Sequence, residues 1–159
     1  ALRFVLPARA PARGLRDMAL DVGPLIEFYE SLAPDSVGRI ADLYAADAWF
    51  KDPFNEVRGS VAIERIFRHM FAQVREPRFA VWRQFVVGDE AMLLWEFGFR
   101  LRNWRPRTLQ RVRGASHLRF DAAGRVTHHR DYWDSAEELY AKLPLLGCAA
   151  RGLQRALRA

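Results

Sequence analysis

Apolar residues that recur every three or four positions predict three helices in the first half of the chain. The first begins at Pro24, since proline is well tolerated in a first helical turn. The second is short and runs to Tyr44, and the third begins at Ser60, a residue that can cap a helix. Glu76-Pro77 is expected to end the third helix. The apolar stripes comprise Leu25, Ile26, Phe28, Tyr29 and Leu32, then Val37, Ile40, Ala41 and Tyr44, then Ile63, Ile66, Phe67, Met70 and Phe71.

Beyond position 78 the apolar residues alternate with polar ones, which predicts four strands in the second half of the chain. The last of them runs from Val126 to Trp133, and a fifth, short strand ends at Asp52. Helices grouped before an antiparallel meander predict an α+β fold, with a curved mixed sheet wrapped around the N-terminal helices as a cone-shaped barrel. The first three long strands centre on Phe79 to Val87, Leu93 to Phe99 and Val112 to Phe120.

The two ends of the chain differ in pattern from its middle. Residues 1–20 are rich in proline and arginine and have little periodicity, so they are expected to form a flexible tail. Residues 21–147 are expected to form one domain, and Ser135 with Glu138 forms a capping box for a helix near its end. Residues 148–159 are expected to form a basic helical tail, which could pack on the domain or lie on an anionic membrane surface.

Length and composition indicate a single domain without a membrane-spanning segment or disulfide bonds. The chain has 159 residues, half of them apolar, which suits one domain with a substantial core. No apolar run is long enough to span a bilayer, so stable membrane insertion is not expected. Cys148 is the one cysteine, which excludes an intramolecular disulfide and a cysteine-built zinc site and indicates a reducing, cytoplasmic location.

The formal charge of +6 is carried almost entirely by arginine. These arginines alternate with apolar residues along the predicted strands, which indicates a solvated outer sheet face and no nucleic-acid partner. The sequence contains no glycine-rich phosphate loop, nucleophile-elbow serine or helical His-Glu-x-x-His motif. We therefore expect neither a cofactor nor a metal.

Asp52 is the first candidate catalytic residue, because it follows an apolar strand and precedes Pro53. Partial desolvation at such a rim would favour proton exchange with a carbon or oxygen acid. The alternative is that Asp52 only turns the chain, since the residue before a proline is restricted to extended backbone.

His129 and Asp131 form a second candidate pair, because alternate residues of one strand share a face with Trp133. The pair could serve as a general base, an anion site or part of a metal site, although a third ligand is missing. A buried histidine that is bonded to an aspartate for structure alone is the alternative. Inward aromatic residues could line a cavity for a small apolar molecule or could fill the cone: Trp95, Phe97, Phe99 and Trp133.

Residues 24–143 resemble the ketosteroid isomerase and SnoaL-like polyketide cyclase branch of the nuclear transport factor 2-like superfamily. The resemblance rests on Phe28-Tyr29, Ala45 to Pro53, Arg58-Gly59 and His117 to Val126. It places Asp52 at the proton-shuttling aspartate and Tyr29 at the oxyanion-hole tyrosine. Ser116 takes the place of the second oxyanion donor, a protonated aspartate in that family, and is a poorer acid. The resemblance also implies a homodimer that forms through the sheet.

Two functions follow as hypotheses. The first is a cofactor-free isomerase, cyclase or dehydratase for an apolar carbonyl metabolite, in which Asp52 moves the proton alone or with the His129-Asp131 pair. Tyr29 and Ser116 would then donate hydrogen bonds to the developing oxyanion. The second is a non-catalytic ligand-binding or dimerisation module of the same fold, since this superfamily includes both classes.

Overall fold

The computed structural model of the protein describes residues 20–103 and 106–134. The predicted N-terminal tail, the helix beginning at Ser135 and the basic C-terminal tail lie outside the described residues, apart from Leu20. Leu20 packs against the core of the domain.

Three α-helices precede most of the sheet: α1 (Gly23–Glu30), α2 (Ile40–Leu43) and α3 (Ser60–Gln73). Pro24 lies in the first turn of α1, as expected, and a 3₁₀ turn over Val37–Arg39 leads into α2. Two predicted boundaries of α3 were wrong. Gly59, with a φ of 94°, occupies the N-cap position that the sequence assigned to Ser60, and the helix ends at Gln73 instead of Glu76-Pro77.

The early end of α3 has a cause in the sheet. Val74 pairs with Leu101, so the backbone is already extended three residues before the proline. The strand then passes an irregularity between Arg75 and Arg78, where Glu76 has a φ of 50°. An edge strand tolerates proline at such a bulge, because no ladder hydrogen bond from the proline nitrogen is needed there.

The described part of the chain has six strands: β1 (Tyr44–Lys51), β2 (Glu56–Arg58), β3 (Val74–Val87), β4 (Glu90–Leu101), β5 (Gln110–Phe120) and β6 (Val126–Tyr132). They form one sheet in the order β2-β1-β6-β5-β4-β3. The β1–β6 pair is parallel and the other pairs are antiparallel. The α+β prediction is confirmed, and the sheet is mixed and open. Strand β2 was not predicted, and Tyr44 begins a strand instead of ending a helix.

The inner face of the sheet packs against the helices and buries the alternating apolar positions. On β4 the buried residues are Ala91, Leu93, Trp95 and Phe99, and on β5 they include Val112, Leu118 and Phe120. In the parallel pair of β1 and β6, Phe50 is opposite His129 and Lys51 is opposite Arg130. Two adjacent parallel strands therefore end side by side, and Asp52 follows one of them where Asp131 lies on the other.

The outer face carries a small ring cluster that makes stability depend on pH. His128 stacks on Trp49 with ring centroids 4.5 Å apart, and the ring centroid of His117 lies 5.4 Å from that of His128. Partial burial, followed by the nearby positive charge, lowers the pKa of His128 to about 4 from the ordinary value of 6.5.

A histidine with a lowered pKa in the folded state destabilises the fold in acid. As the pH falls from about 6.5 to about 4, the unfolded chain binds a proton at this position that the folded chain does not bind. We therefore expect the urea midpoint of the wild-type protein to fall as the pH is lowered through this window. The urea midpoint of His128→Gln should fall less. The difference between the two proteins isolates His128 from the carboxylates that titrate nearby. Parallel curves for the two proteins would contradict the assignment.

Candidate functional site

Asp52 lies directly after β1, is half-buried and organises the turn that follows it. Its Oδ1 accepts hydrogen bonds from the backbone N–H groups of Phe54 and Asn55 at 2.7 and 2.6 Å. The side-chain amide of Asn55 donates to Oδ1 at 3.0 Å and to Oδ2 at 2.9 Å. The turn that the sequence offered as an alternative role is therefore present in the structure, and the question is whether Asp52 has a second role.

A groove with a volume of about 480 Å³ lies where the parallel strands end. We call it the strand-end groove. Asp52 and Asp131 both border it, so the turn carboxylate and the carboxylate of the predicted His129-Asp131 pair share one opening. Its lining consists of Lys51, Asp52 and Pro53 from the end of β1, and Arg130, Asp131, Tyr132, Trp133 and Asp134 from β6 and the residues after it.

His129 is the centre of a set of buried hydrogen bonds. The ring is 2% exposed and lies between Asp131 on one side and two phenols on the other. Its Nε2 is 2.8 Å from Asp131 Oδ1. Its Nδ1 is 2.6 Å from the Tyr44 hydroxyl and 3.2 Å from the Tyr29 hydroxyl, and the two phenols also bond to each other.

Asp131 is reached from β5 and β4 as well. Ser116 Oγ donates to Asp131 Oδ1 at 2.5 Å, and the indole Nε1–H of Trp95 donates to Ser116 Oγ at 2.8 Å. The side chain of Asp131 is 18% exposed, which makes it the link between these buried groups and the groove. We call the whole set the buried network: Tyr29, Tyr44, Trp95, Ser116, His129 and Asp131.

The two phenols of the buried network stay protonated. Burial is the largest cause that raises the pKa of both Tyr29 and Tyr44 well above the ordinary value of 10.0. The negative charge of Asp131 raises both values further, whereas the hydrogen bond from Tyr29 lowers that of Tyr44. Each phenol is therefore a hydrogen-bond donor at neutral pH.

The structure brings four of the five candidate catalytic residues into the buried network and leaves Asp52 at the groove. Tyr29, Ser116 and His129 do not line the groove, and their polar atoms bond within the network. Sequence reasoning missed Tyr44, because its helical spacing concealed a strand position beside Val126. It also treated Trp95 only as an apolar wall, although a buried indole N–H generally requires an acceptor.

The aromatic residues that were predicted to contact a ligand divide into two groups. Trp133 lines the groove, with Phe54 in edge contact at 5.4 Å. Trp95, Phe97 and Phe99 lie in the interior instead, where Phe79 is 5.1 Å from Trp95 and 5.9 Å from Phe97. These rings pack on one another.

Two absences concern the described part of the chain. Within residues 20–103 and 106–134, no group of three His, Cys, Asp or Glu side chains is arranged to hold a metal ion. None of the helices in those same ranges is long and apolar enough to cross a membrane.

Several solved structures are similar to this chain. A protein with a ketosteroid isomerase-like fold from Catenulispora acidiphila, in complex with trimethylamine, is 20% identical with a TM-score of 0.65, over 77% of this chain and 92% of that one. An LEH-like epoxide hydrolase from M. tuberculosis is 18% identical with a TM-score of 0.59, over 84% and 92%. A protein from Shewanella putrefaciens that is named for the SnoaL-like polyketide cyclases is 17% identical with a TM-score of 0.59, over 72% and 92%.

At these identities the similarity shows the fold. No curated protein matches the chain. The family model of the SnoaL-like domain matches residues 25–129, which is well over half of the sequence and includes five of the six residues of the buried network. The chain therefore belongs to the SnoaL-like domain family of the nuclear transport factor 2-like superfamily.

Proposed function

We propose that this protein is a cofactor-free acid–base enzyme that acts on a small, apolar, carbonyl-containing metabolite in the strand-end groove. Asp131 is the proton acceptor, and His129 supports it from within the core. Isomerase, cyclase and dehydratase reactions all begin with removal of a proton next to a carbonyl group, which is the step this site suits.

The observation that carries the proposal is the position of Asp131. Its Oδ1 takes hydrogen bonds from Ser116 and His129, while the residue also borders a groove large enough for a small metabolite. A carboxylate held by two donors on one oxygen has a defined orientation. The other oxygen can then meet a substrate proton with little loss of conformational freedom.

The chemical step balances within the groove. The electron pair of the C–H bond next to the carbonyl moves into the carbonyl group, and the proton moves to Asp131. The oxygen that becomes an enolate needs a positive or hydrogen-bonding neighbour. Arg130 borders the groove from the other face of β6, with its guanidinium 4.7 Å above the ring of Tyr132, and at this strand end it is the cation we assign to this charge. Lys51 is already paired with Glu56.

Asp52 is the second carboxylate of the site in this proposal. It borders the same groove as Asp131 and keeps its turn bonds through Asn55. An isomerase must return the proton to a different carbon, and Asp131, which holds that proton, can do so. Asp52 then serves as a hydrogen-bond acceptor for the substrate at the same opening. The names of structural neighbours, a polyketide cyclase and an epoxide hydrolase, support proton-transfer chemistry on this fold.

Solvent exchange tests the proposal without knowledge of the product. We expect the protein to catalyse exchange of the α-proton of at least one member of a panel of apolar cyclic ketones and enones in D₂O. Proton NMR measures the loss of that signal against the uncatalysed rate. A ketone that binds should raise the thermal midpoint of the protein. If every ketone that binds exchanges its proton only at the uncatalysed rate, the protein is a binding protein and the proposed enzymatic function is wrong.

A non-catalytic binding or dimerisation module is the second candidate. The observation in its favour is that the rings of Trp95, Phe97, Phe99 and Phe79 pack on one another. The same panel separates the two candidates, because this module would bind ketones without exchange. Sedimentation equilibrium at several protein concentrations would test dimerisation.

A further inference from the structure

The chemistry of the groups in the buried network indicates which of them donates and which accepts in each hydrogen bond. The Trp95 indole N–H can donate a hydrogen bond but cannot accept one, and it donates to Ser116 Oγ. The Ser116 hydroxyl then donates its own hydrogen to Asp131 Oδ1. We assign Oδ1 as the acceptor of this bond.

The other end of the network must agree with this direction. Because Oδ1 accepts, the ring nitrogen of His129 that faces it, Nε2, carries a hydrogen and donates. The Nδ1 of a neutral imidazole is then an acceptor, and the Tyr44 hydroxyl at 2.6 Å is its donor. Tyr29 can in turn donate to Tyr44. Hydrogen bonds thus run from both ends of the network toward one oxygen.

This arrangement leaves the second oxygen of Asp131 for the groove. Among the residues that the structure describes, no hydrogen bond reaches Asp131 Oδ2, although the residue borders the groove. We propose that Trp95 and Tyr44 are positioning residues, which act through Ser116 and His129 to hold Asp131 as a hydrogen-bond acceptor with Oδ2 turned to the substrate. The inference rests on the proposed function, since it concerns the base of that reaction.

Neither positioning residue can act by touching a ligand in the groove. Trp95 is 4% exposed and Tyr44 is 1% exposed, and neither belongs to the lining. Loss of either donor should therefore change kcat while KM stays the same. A residue that only supports the fold would change the thermal midpoint without changing the pH dependence of turnover.

Kinetics of Trp95→Phe and Tyr44→Phe test this on a ketone that the wild-type protein exchanges. We expect kcat to fall by roughly tenfold in each, because each variant loses the hydrogen bond that orients Ser116 or His129, the groups that bond to Asp131. We also expect the acid limb of the pH–rate profile to move to higher pH, since the carboxylate loses support for its charged form. Trp82→Phe is the matched control, because Trp82 is 63% exposed at the sheet edge. Unmoved acid limbs in both variants would overturn the proposal.

Nitrogen-15 NMR of the His129 ring reads the direction of the network with no substrate present. At neutral pH we expect Nε2 to be protonated and Nδ1 unprotonated in the wild-type protein, and the Nδ1 signal to move further from the protonated range in Tyr44→Phe, because its lone pair loses a hydrogen-bond donor. The opposite tautomer in the wild type would overturn the proposal. If no ketone exchanges while the tautomer is as expected, the proposed function fails and the ordering of Asp131 by the network is still supported.

Ser116→Ala serves where Trp95→Phe does not fold. It cuts the same path at the hydroxyl and changes little volume at a position that is 2% exposed. The expected shift of the acid limb has the same sign as for Trp95→Phe. An Ser116→Ala protein whose acid limb coincides with that of the wild type would overturn the role of the Trp95 branch.

Discussion

Replacing Asp131 with asparagine should reduce turnover by roughly 10²- to 10⁴-fold, the usual contribution of a positioned general base. The amide keeps the shape of the carboxylate, and its oxygen can still accept from Ser116 and His129. The fold should therefore persist while the group that takes the proton is gone. Steady-state rates with an exchanging ketone, together with the thermal midpoint, measure both effects.

Two further variants make this result specific. Asp47→Asn, at an exposed position of β1, should keep wild-type turnover. Asp52→Asn should reduce turnover less than Asp131→Asn, because Asp131 takes the proton in our assignment. The amide oxygen at position 52 can still accept hydrogen bonds from the backbone N–H groups of Phe54 and Asn55, so the turn should persist. If Asp52→Asn abolishes turnover and Asp131→Asn retains it, the base is Asp52 and our assignment is wrong.

Replacing Gly114 with alanine should destabilise the fold by about 2–3 kcal/mol, in the range that overpacking of a core costs. A Cβ at this position would lie 2.6 Å from the Cζ2 and Cη2 atoms of Trp95 and 2.9 Å from the backbone oxygen of Tyr132. The indole cannot easily move aside, since its N–H is bonded to Ser116. The glycine is required here because two neighbouring strands approach it, and its backbone angle plays no part.

Gly98→Ala is the matched control on the adjacent strand β4. Its added Cβ would meet its nearest atoms at 3.9 Å, an ordinary contact distance. We expect its stability to stay within about 0.5 kcal/mol of the wild type, since alanine also restricts the unfolded chain. Urea unfolding of the three proteins measures the difference. Equal midpoints for Gly114→Ala and Gly98→Ala would show that Trp95 is not held where the structure places it.

Local patterns predicted the elements whose apolar period was long and regular. The alternation of Leu93 to Phe99 predicted β4, and strand parity predicted that His129 and Asp131 share a face. The side chains of that pair do meet, at 2.8 Å. Parity works because successive side chains of a strand point to opposite faces whatever the strand pairs with.

The apolar patterns gave wrong predictions where pairing with a strand distant in sequence determined the backbone conformation. The end of α3 was wrong because Val74 pairs with Leu101, a residue distant in sequence. Tyr44 was assigned to a helix for the same reason, since its place in β1 depends on Val126. Strand β2 has only three residues, too few to show a period.

The sequence by itself determined the fold class, because the switch of apolar period from helical to alternating is a local property. The family followed from the match of residues 25–129 to the SnoaL-like domain. The sequence also supplied the acidic residue after β1 and the His-x-Asp spacing on β6. The tertiary structure alone decided which of these groups meet. The parallel register of β1 and β6 forms the groove. Hydrogen bonds link Tyr29 to His129, Trp95 to Ser116, and Ser116 to Asp131. Such contacts depend on residues up to a hundred positions apart, for which no local pattern exists.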